Sequence, residues 1–482
     1  MGWLEDVEKI FGISSFRDYF RLFYLGIIKL MGIITAGVII GFAGSIGSLH
    51  MKLIEFTLLL LFVFISVYIY ASRPKLLLPY TLLMWVLSPE IRRLIDWSFQ
   101  SYSNTSIISL IPYCVSLTLL IPISKNIKLI DRRISLILKI IGVALIYGFC
   151  IGFFKYGFSS VYDLLNYIVP FLVLIYVNVS SFDSDVRDKW LRSFSFLAVL
   201  VAVYGIYQYL SLPPWDKFWM INAEMNSIGP PDPQNFRIFS FLNSPGPAGV
   251  FLGLALAIMT VQKKWRSFGV IGMMIVAFAL LLTLVRAGWI AYVVMVIAYF
   301  IRSHLKSKLN LLFLGIVIFG VYIYALPILP GADNIVSRIE TFGSLEEDHS
   351  FNERLSFSSD ILSQLLANPV GMGLGSSGLG SKLTQNTDTL LVFDNGYLNL
   401  MYTFGLPLGL AVIATLVYLF FHLYKLSKTE KVYSPISFAA ISSFLFLLFA
   451  SNVMSGLIGY IFLLVISLVY LPRSQTGGDI EC

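Results

Sequence analysis

PILPGADNIVSRIETFGSLEEDHSFNERLSFSSDILSQLLANPVGMGLGSSGLGSKLTQNTDTLLVFDN (Pro327–Asn395) is a polar excursion in a chain that is otherwise one apolar run after another. The apolar pattern returns directly behind it, at GYLNLMYTFGLPLGL (Gly396–Leu410). Lipid offers no partner to backbone N–H and C=O groups, so irregular polar chain belongs outside the hydrocarbon or inside protein. A connection this long, with a helical stretch of its own, exceeds what joining two helices requires. Chemistry is therefore expected in the excursion, and the apolar runs around it set the fold class.

Residues of the AVILMFWYC set fill 57% of the 482 positions and charged residues 13%, about half the charge of a soluble domain. Successive runs of spanning length predict an all-α polytopic membrane protein with about fourteen transmembrane helices. Residues 1–24 read as an interfacial helix, with Trp3, Val7, Ile10 and Phe11 at helical spacing between charges. Acids at Glu5, Asp6 and Glu8 stand where a signal peptide would be basic. Spans one to eleven occupy 25–326 with an outer loop at 211–245, and 327–395 is the large outer loop containing a helix. Spans twelve to fourteen occupy 396–471, and 472–482 form a tail. Leu76–Pro89 is a short span, and Phe268–Leu284 and Ala287–Ile301 meet with almost no loop between them.

With the N-terminus inside, the inner turns collect 24 of the 34 basic residues, the positive-inside asymmetry of a plasma-membrane protein. That orientation leaves both termini cytoplasmic and the large loop extracytoplasmic. The net charge of +7 is thus a topology signal and not a nucleic-acid footprint. Cys114 and Cys150 lie in apolar runs and Cys482 ends the chain, so neither a disulfide framework nor a thiolate metal site is expected. No acidic or histidine cluster resembles a metal site.

Six arginines fall on the outer side: Arg92, Arg93, Arg237, Arg286, Arg338 and Arg354. Arg286, in LTLVRAGWIAY, reads either as a snorkelling helix end or as a functional cation held where charge is disfavoured. Ser350 and Glu353 form a capping box, which places Arg354 in the first turn of the loop helix, on one face with Ser358, Ile361 and Leu365. That face points toward the protein body; a surface pairing with Glu353 or Asp348 is the alternative. Asp394 precedes Asn395 and Gly396 and reads as a helix cap, a proton acceptor, or both. Arg92 and Arg93, in LSPEIRRLIDW, suit phosphate binding or headgroup anchoring equally. GMGLGSSGLG (Gly371–Gly380) follows no strand, and turn geometry accounts for its glycines better than a nucleotide loop does.

From YGIYQY at Tyr204 to Leu410 the chain resembles the O-antigen polymerase and ligase family of bacterial inner-membrane glycosyltransferases. RIFSFLNSPGPAG (Arg237–Gly249), LVRAGW (Leu284–Trp289), NERL, ANPVGMGLGSSG and DNGYLNLMYTFGLPLG (Asp394–Gly409) carry the likeness, in order around one large loop. The resemblance implies a GT-C-like multi-pass enzyme of the cytoplasmic membrane that needs neither metal nor nucleotide cofactor. Its donor and acceptor would be polyprenyl-diphosphate-linked oligosaccharides, with membrane lipid and a chain-length regulator as further partners and no nucleic acid. The family's essential arginines match Arg286 and Arg354. The ligase branch carries a histidine before the asparagine, where this chain has Asp394, which favours a polymerase.

On this reading Arg286 and Arg354 hold the donor diphosphate and Asp394 serves the attacking hydroxyl. Arg237, Asn243, Arg92, Arg93, Glu353, Asn395 and Tyr397 contribute to substrate binding, and Trp215, Trp219 and Tyr397 could stack on sugars. The rivals are a ligase transferring glycan to lipid A core or protein, and a lipid-linked glycan flippase. Against the flippase stand the missing internal repeat and the placement of ionisable residues at outer ends.

Overall fold

A computed structural model describes residues 48–103, 105–180, 182, 185–223, 228–305, 308–309, 311, 320, 330–340, 349–367, 369–378, 393–428 and 433–471, with 48–50 and 349–356 by backbone alone. The interfacial helix at 1–24, the span at Leu25–Ile46, most of the span at Leu309–Leu326 and the tail lie outside the described residues.

The helices in chain order are α1 (Ser48–Ser72), α2 (Leu77–Ser98), α3 (Ile111–Leu117), α4 (Leu120–Asn126), α5 (Arg132–Tyr156), α6 (Phe158–Val179), α7 (Asp185–Ser211) and α8 (Pro214–Asn222). There follow α9 (Pro245–Val261), α10 (Gly269–Leu282), α11 (Arg286–Arg302), α12 (Ala332–Glu340), α13 (His349–Ala367), α14 (Gly396–Leu426), α15 (Ser434–Leu447) and α16 (Gly456–Ser467). No strand occurs among the described residues. Six helical segments there are long and apolar enough to cross a membrane, and four further apolar helices have 10–17 residues. The architecture is all-helical; these segments do not establish a count of fourteen. The short span expected to end at Pro89 is the first part of α2, which carries Pro89 inside it and continues to Ser98.

Small residues set the closest helix approaches. Gly249 and Gly253, one turn apart on α9, face Gly288 of α11. A Cβ on Gly253 would stand 2.4 Å from the Gly288 carbonyl oxygen, and one on Gly288 would stand 2.5 Å from Gly249. Small-xxx-small spacing lets backbones touch where lipid supplies no hydrophobic drive. The result fixes the N-terminal end of α11, which begins with Arg286, against α9. At its other side α11 packs on α15, where the Ser443 hydroxyl donates to the Ala291 carbonyl at 3.0 Å.

The glycine stretch at 369–378 is an irregular insert between α5, α6 and α14, buried from Gly371 to Ser377 apart from a half-buried Met372. Its reason lies in the FGLPLG run of α14. Gly405 leaves helical geometry (φ 77°, ψ 161°) and Pro407 has no N–H to give the Thr403 carbonyl. The Leu406 N–H turns instead to the Pro369 carbonyl at 2.9 Å, so Tyr402 also loses its helical donor. Both orphaned carbonyls are satisfied by the insert: Met372 N–H reaches Tyr402 at 2.8 Å and Gly373 N–H reaches Thr403 at 3.0 Å. On its other side the Leu374 N–H donates to the Gly148 carbonyl of α5 at 2.8 Å. Gly371, Gly373 and Gly375 all have positive φ (87°, 89° and 87°), which alone favours glycine. The expectation of turn glycines is thus extended: the same residues also allow backbone-to-backbone contact, since a Cβ on Gly373 would stand 2.4 Å from Gly152 N. Irregular chain at this depth is tolerated because protein, not lipid, surrounds it.

Candidate functional site

The corner between α10 and α11 gathers cations. α10 ends at Leu282, Leu284 takes a left-handed φ of 52°, and α11 starts at Arg286. The turn is pinned by the Thr283 hydroxyl donating to the Leu280 carbonyl at 2.7 Å and by Trp289 Nε1 donating to the same carbonyl at 3.1 Å. The last carbonyls of α10 therefore point away from the helix, at the negative end of its dipole. Arg237 answers them, with Nε 3.2 Å from the Thr283 oxygen and Nη2 3.2 Å from the Leu284 oxygen. Arg338 of α12 donates from Nε to the same Leu284 oxygen at 3.3 Å. Arg286 follows two residues later, at the first position of α11, where helix N–H groups favour anions. All three arginines are half-buried.

Local structure explains why each is there. α12 is seated by buried Ile335 and by Gly331, which has a φ of 81° and where a Cβ would stand 2.6 Å from the Tyr209 hydroxyl. Arg338 lies one turn beyond Ile335. The sequence marked Arg338 only as an outer arginine; its spacing from Ile335 and Ile339 is the signal that placed it here.

Arg237 is carried by a turn that Arg93 braces. Arg93, 1% exposed, donates through Nη1 to the Leu242 carbonyl at 2.7 Å and through Nη2 to the Ser240 carbonyl at 2.5 Å. Its Nε gives a hydrogen bond to Glu90 Oε2 at 2.9 Å, and the guanidinium sits between the rings of Phe239 and Trp219 (4.9 and 5.6 Å). Arg93 is therefore occupied by protein groups and shapes the loop that presents Arg237. Trp219 is buried against it, and Trp215 donates from Nε1 to Glu90 Oε1 at 2.7 Å, so these rings serve packing. Arg92 donates to the Ser103 carbonyl, lies 3.5 Å from Asp96 Oδ2 and covers the Tyr102 ring. Neither Arg92 nor Arg93 is brought to the corner by any of these bonds.

Asp216 of α8 completes this brace, with Oδ1 2.8 Å from Arg93 Nε as an ion-pair contact and no aligned hydrogen bond to that oxygen. Oδ2 accepts from Gln208 at 2.7 Å and Tyr204 at 2.9 Å. One guanidinium here faces two buried carboxylates. Burial, with the Glu90 charge beside it and against the pull of Arg93, pushes the Asp216 carboxyl from an ordinary 3.8 up to about 6. A pKa raised by folding means the folded state binds that proton more tightly. The associated stability is full below about pH 4 and is lost as pH rises through about 6. In detergent, the melting temperature of the wild type should fall over that window, and Asp216→Asn should flatten the fall; an unchanged slope in the variant would refute the assignment.

Residues 271–414 match the family model described as O-antigen ligase. The likeness to O-antigen polymerases and ligases spans 144 of the 482 residues. No curated protein matched the chain. The matched stretch holds the Arg286 corner, α12, α13, the glycine insert and the first half of α14, and the apolar helices around it suit a multi-pass membrane protein.

Within the matched stretch, α13 lays Ile361 and Leu365 against Phe393 and Tyr402, both stripe residues being 2% exposed. This is the stripe on which the sequence placed Arg354; the side chains of Glu353 and Arg354 lie outside the described residues. At the head of α14 the cap is Asn395, whose Oδ1 accepts from Tyr397 N–H at 3.0 Å and Leu398 N–H at 3.1 Å. Asp394 stands one residue before the cap and is half-buried. The cap of α14 is thus Asn395, one residue beyond the Asp394 that the sequence offered as a cap. Tyr397 donates its hydroxyl to the Leu445 carbonyl at 2.7 Å and packs edge-on against Phe449, a helix contact instead of an open platform. Asn243 is exposed. Among the described residues no group of three or more His, Cys, Asp or Glu side chains could hold a metal ion.

Proposed function

We propose that the protein is a polysaccharide polymerase, acting on polyprenyl-diphosphate-linked repeat units at the outer face of a bacterial cytoplasmic membrane. The convergence of Arg237 and Arg338 on the carbonyls beside Arg286 carries this reading. A diphosphate leaving group gains charge as the glycosidic bond breaks, and fixed cations aimed at that charge lower the barrier. Guanidinium suits the task because it stays ionised and binds phosphate oxygens in pairs. Arg354 joins the set from α13.

In this scheme an acceptor hydroxyl oxygen forms the new bond to the anomeric carbon. The bond from that carbon to the donor diphosphate breaks, and polyprenyl diphosphate departs on the arginines. The hydroxyl proton passes to the Asp394 carboxylate as general base. The reading includes a GT-C-like arrangement of about fourteen spans, cytoplasmic termini, no metal requirement and a chain-length regulator as partner. A ligase is the second reading, favoured by the description of the matched family; Asp394 in place of a histidine argues for the polymerase.

Reconstitution in liposomes with synthetic polyprenyl-diphosphate repeat units tests it. A ladder of lengthened lipid-linked products is expected. A single transfer to lipid A core or protein with no ladder would make it a ligase, and no transfer from any such donor would sink both readings.

A further inference from the structure

Asp163 stands in the second turn of α6, inside a segment apolar and long enough to cross a membrane. An ionisable side chain in such a segment is expensive and calls for a partner. Its Oδ2 accepts the Gly375 N–H of the glycine insert at 2.8 Å. The N–H groups of Met372, Gly373 and Leu374 are met by helix carbonyls, whereas the next donor, Gly375, is met by a carboxylate. A buried N–H left without an acceptor costs free energy, so this bond fixes the insert whether or not the acceptor is charged.

The place of this bond matters as much as its strength. Just beyond it the chain leaves toward 379–392 and returns at Asp394. The two ends are clamped together: Asn399, in the second turn of α14, donates from Nδ2 to the Ser377 hydroxyl at 3.0 Å. Asn399 Oδ1 in turn accepts from Asn452 Nδ2 at 2.6 Å and from the Tyr167 hydroxyl of α6 at 3.3 Å. Tyr167 lies one helical turn from Asp163. One polar network thus ties α6, the end of the insert and the head of α14. Buried networks of this kind act as units.

We propose that Asp163 is a positioning residue for glycan transfer: its carboxylate seats the end of the glycine insert and, through Ser377 and Asn399, sets where Asp394 stands. This rests on the polymerase reading above. Displacement of a reacting group by about an ångström can lower a rate about a hundredfold, so a lost anchor is read in turnover before it is read in binding.

The experiment compares Asp163→Ala and Asp163→Asn, reconstituted as full-length protein with the same lipid-linked units. Asp163→Ala should lower kcat about tenfold or more with the donor KM unchanged. Asp163→Asn should stay within about threefold of wild type, because its amide oxygen still accepts from Gly375. A second arm needs no activity. With the native cysteines replaced, Ser376→Cys, buried in the wild type, should react with a membrane-impermeant maleimide faster in the Ala background and at the original rate in the Asn background. Both variants at wild-type activity would overturn the proposal, and so would Asp163→Asn as impaired as Asp163→Ala with labelling unmoved. If the wild type itself transfers no glycan, the functional reading fails, and the labelling arm still decides the anchor.

Discussion

Arg286→Glu should abolish polymer, with at least about a hundredfold loss of transfer, while the protein remains in the membrane at its normal level. The substitution is chosen because the fold can accept it. Position 286 is the first residue of α11, where an acid complements the helix dipole and a base opposes it. Arg237 and Arg338 at the adjoining carbonyls give a new carboxylate local partners. Folding is thus neutral or helped, whereas a diphosphate would meet a negative charge in place of a positive one. Arg286→Gln should fall between, since it removes the charge without reversing it. An immunoblot for the protein beside a gel for glycan length decides. Normal chain lengths from Arg286→Glu would remove the diphosphate grip from the mechanism.

The second large effect is structural and has a sign that helix propensity alone gets wrong. Gly152 lies within α5, and Ala in a helix interior is favoured over Gly by about 1 kcal/mol. A Cβ at Gly152 would nevertheless stand 2.0 Å from the Leu374 carbonyl oxygen and 2.7 Å from its nitrogen. That is insert backbone held on both sides, so it cannot swing aside as a side-chain tip would. Gly152→Ala should therefore lower the melting temperature, with overpacking of about 1–3 kcal/mol, and cut transfer along with it. Gly142 is the internal control: it lies in the same helix with nothing within 4 Å of its missing Cβ. Gly142→Ala should be neutral or stabilising. Two alanines that shift the melting temperature in the same direction would show that the insert does not press on α5.

Much of the fold was legible because it is written in local pattern. Apolar runs of helical length, the corner between Phe268–Leu284 and Ala287–Ile301, and the buried stripe of Ile361 and Leu365 follow from spacing alone. Partners distant in sequence were not. The glycines of the insert signal positive φ wherever they occur, but nothing near them names Gly152 or the broken helix at Gly405 as their counterpart. Aromatic residues are ambiguous for a related reason. Trp219 and Tyr397 carry the same flat ring whether it stacks on sugar or on protein, and here Trp219 covers Arg93 and Tyr397 meets Phe449. Asp394 and Asn395 are near-equal cap formers, so only the phase of α14 separates them. Arg338 and Asp163 escaped selection because each owes its place to a contact: one to the Leu284 carbonyl, the other to Gly375.

The hairpin of α10 and α11 has a consequence for the lipid around it. Its arms hold 14 and 17 residues, which rise about 21 and 25 Å against a hydrocarbon layer of about 30 Å. A pair this short fits a thinned layer better than a full one, and mismatch of this kind has an energy that depends on acyl-chain length. On the proposed polymerase reading, a prenyl-linked donor in a thinned layer would meet the arginines without being drawn out of the sheet. On that reading the surrounding bilayer shares in placing the donor, and thin membranes fit the pair better than thick ones.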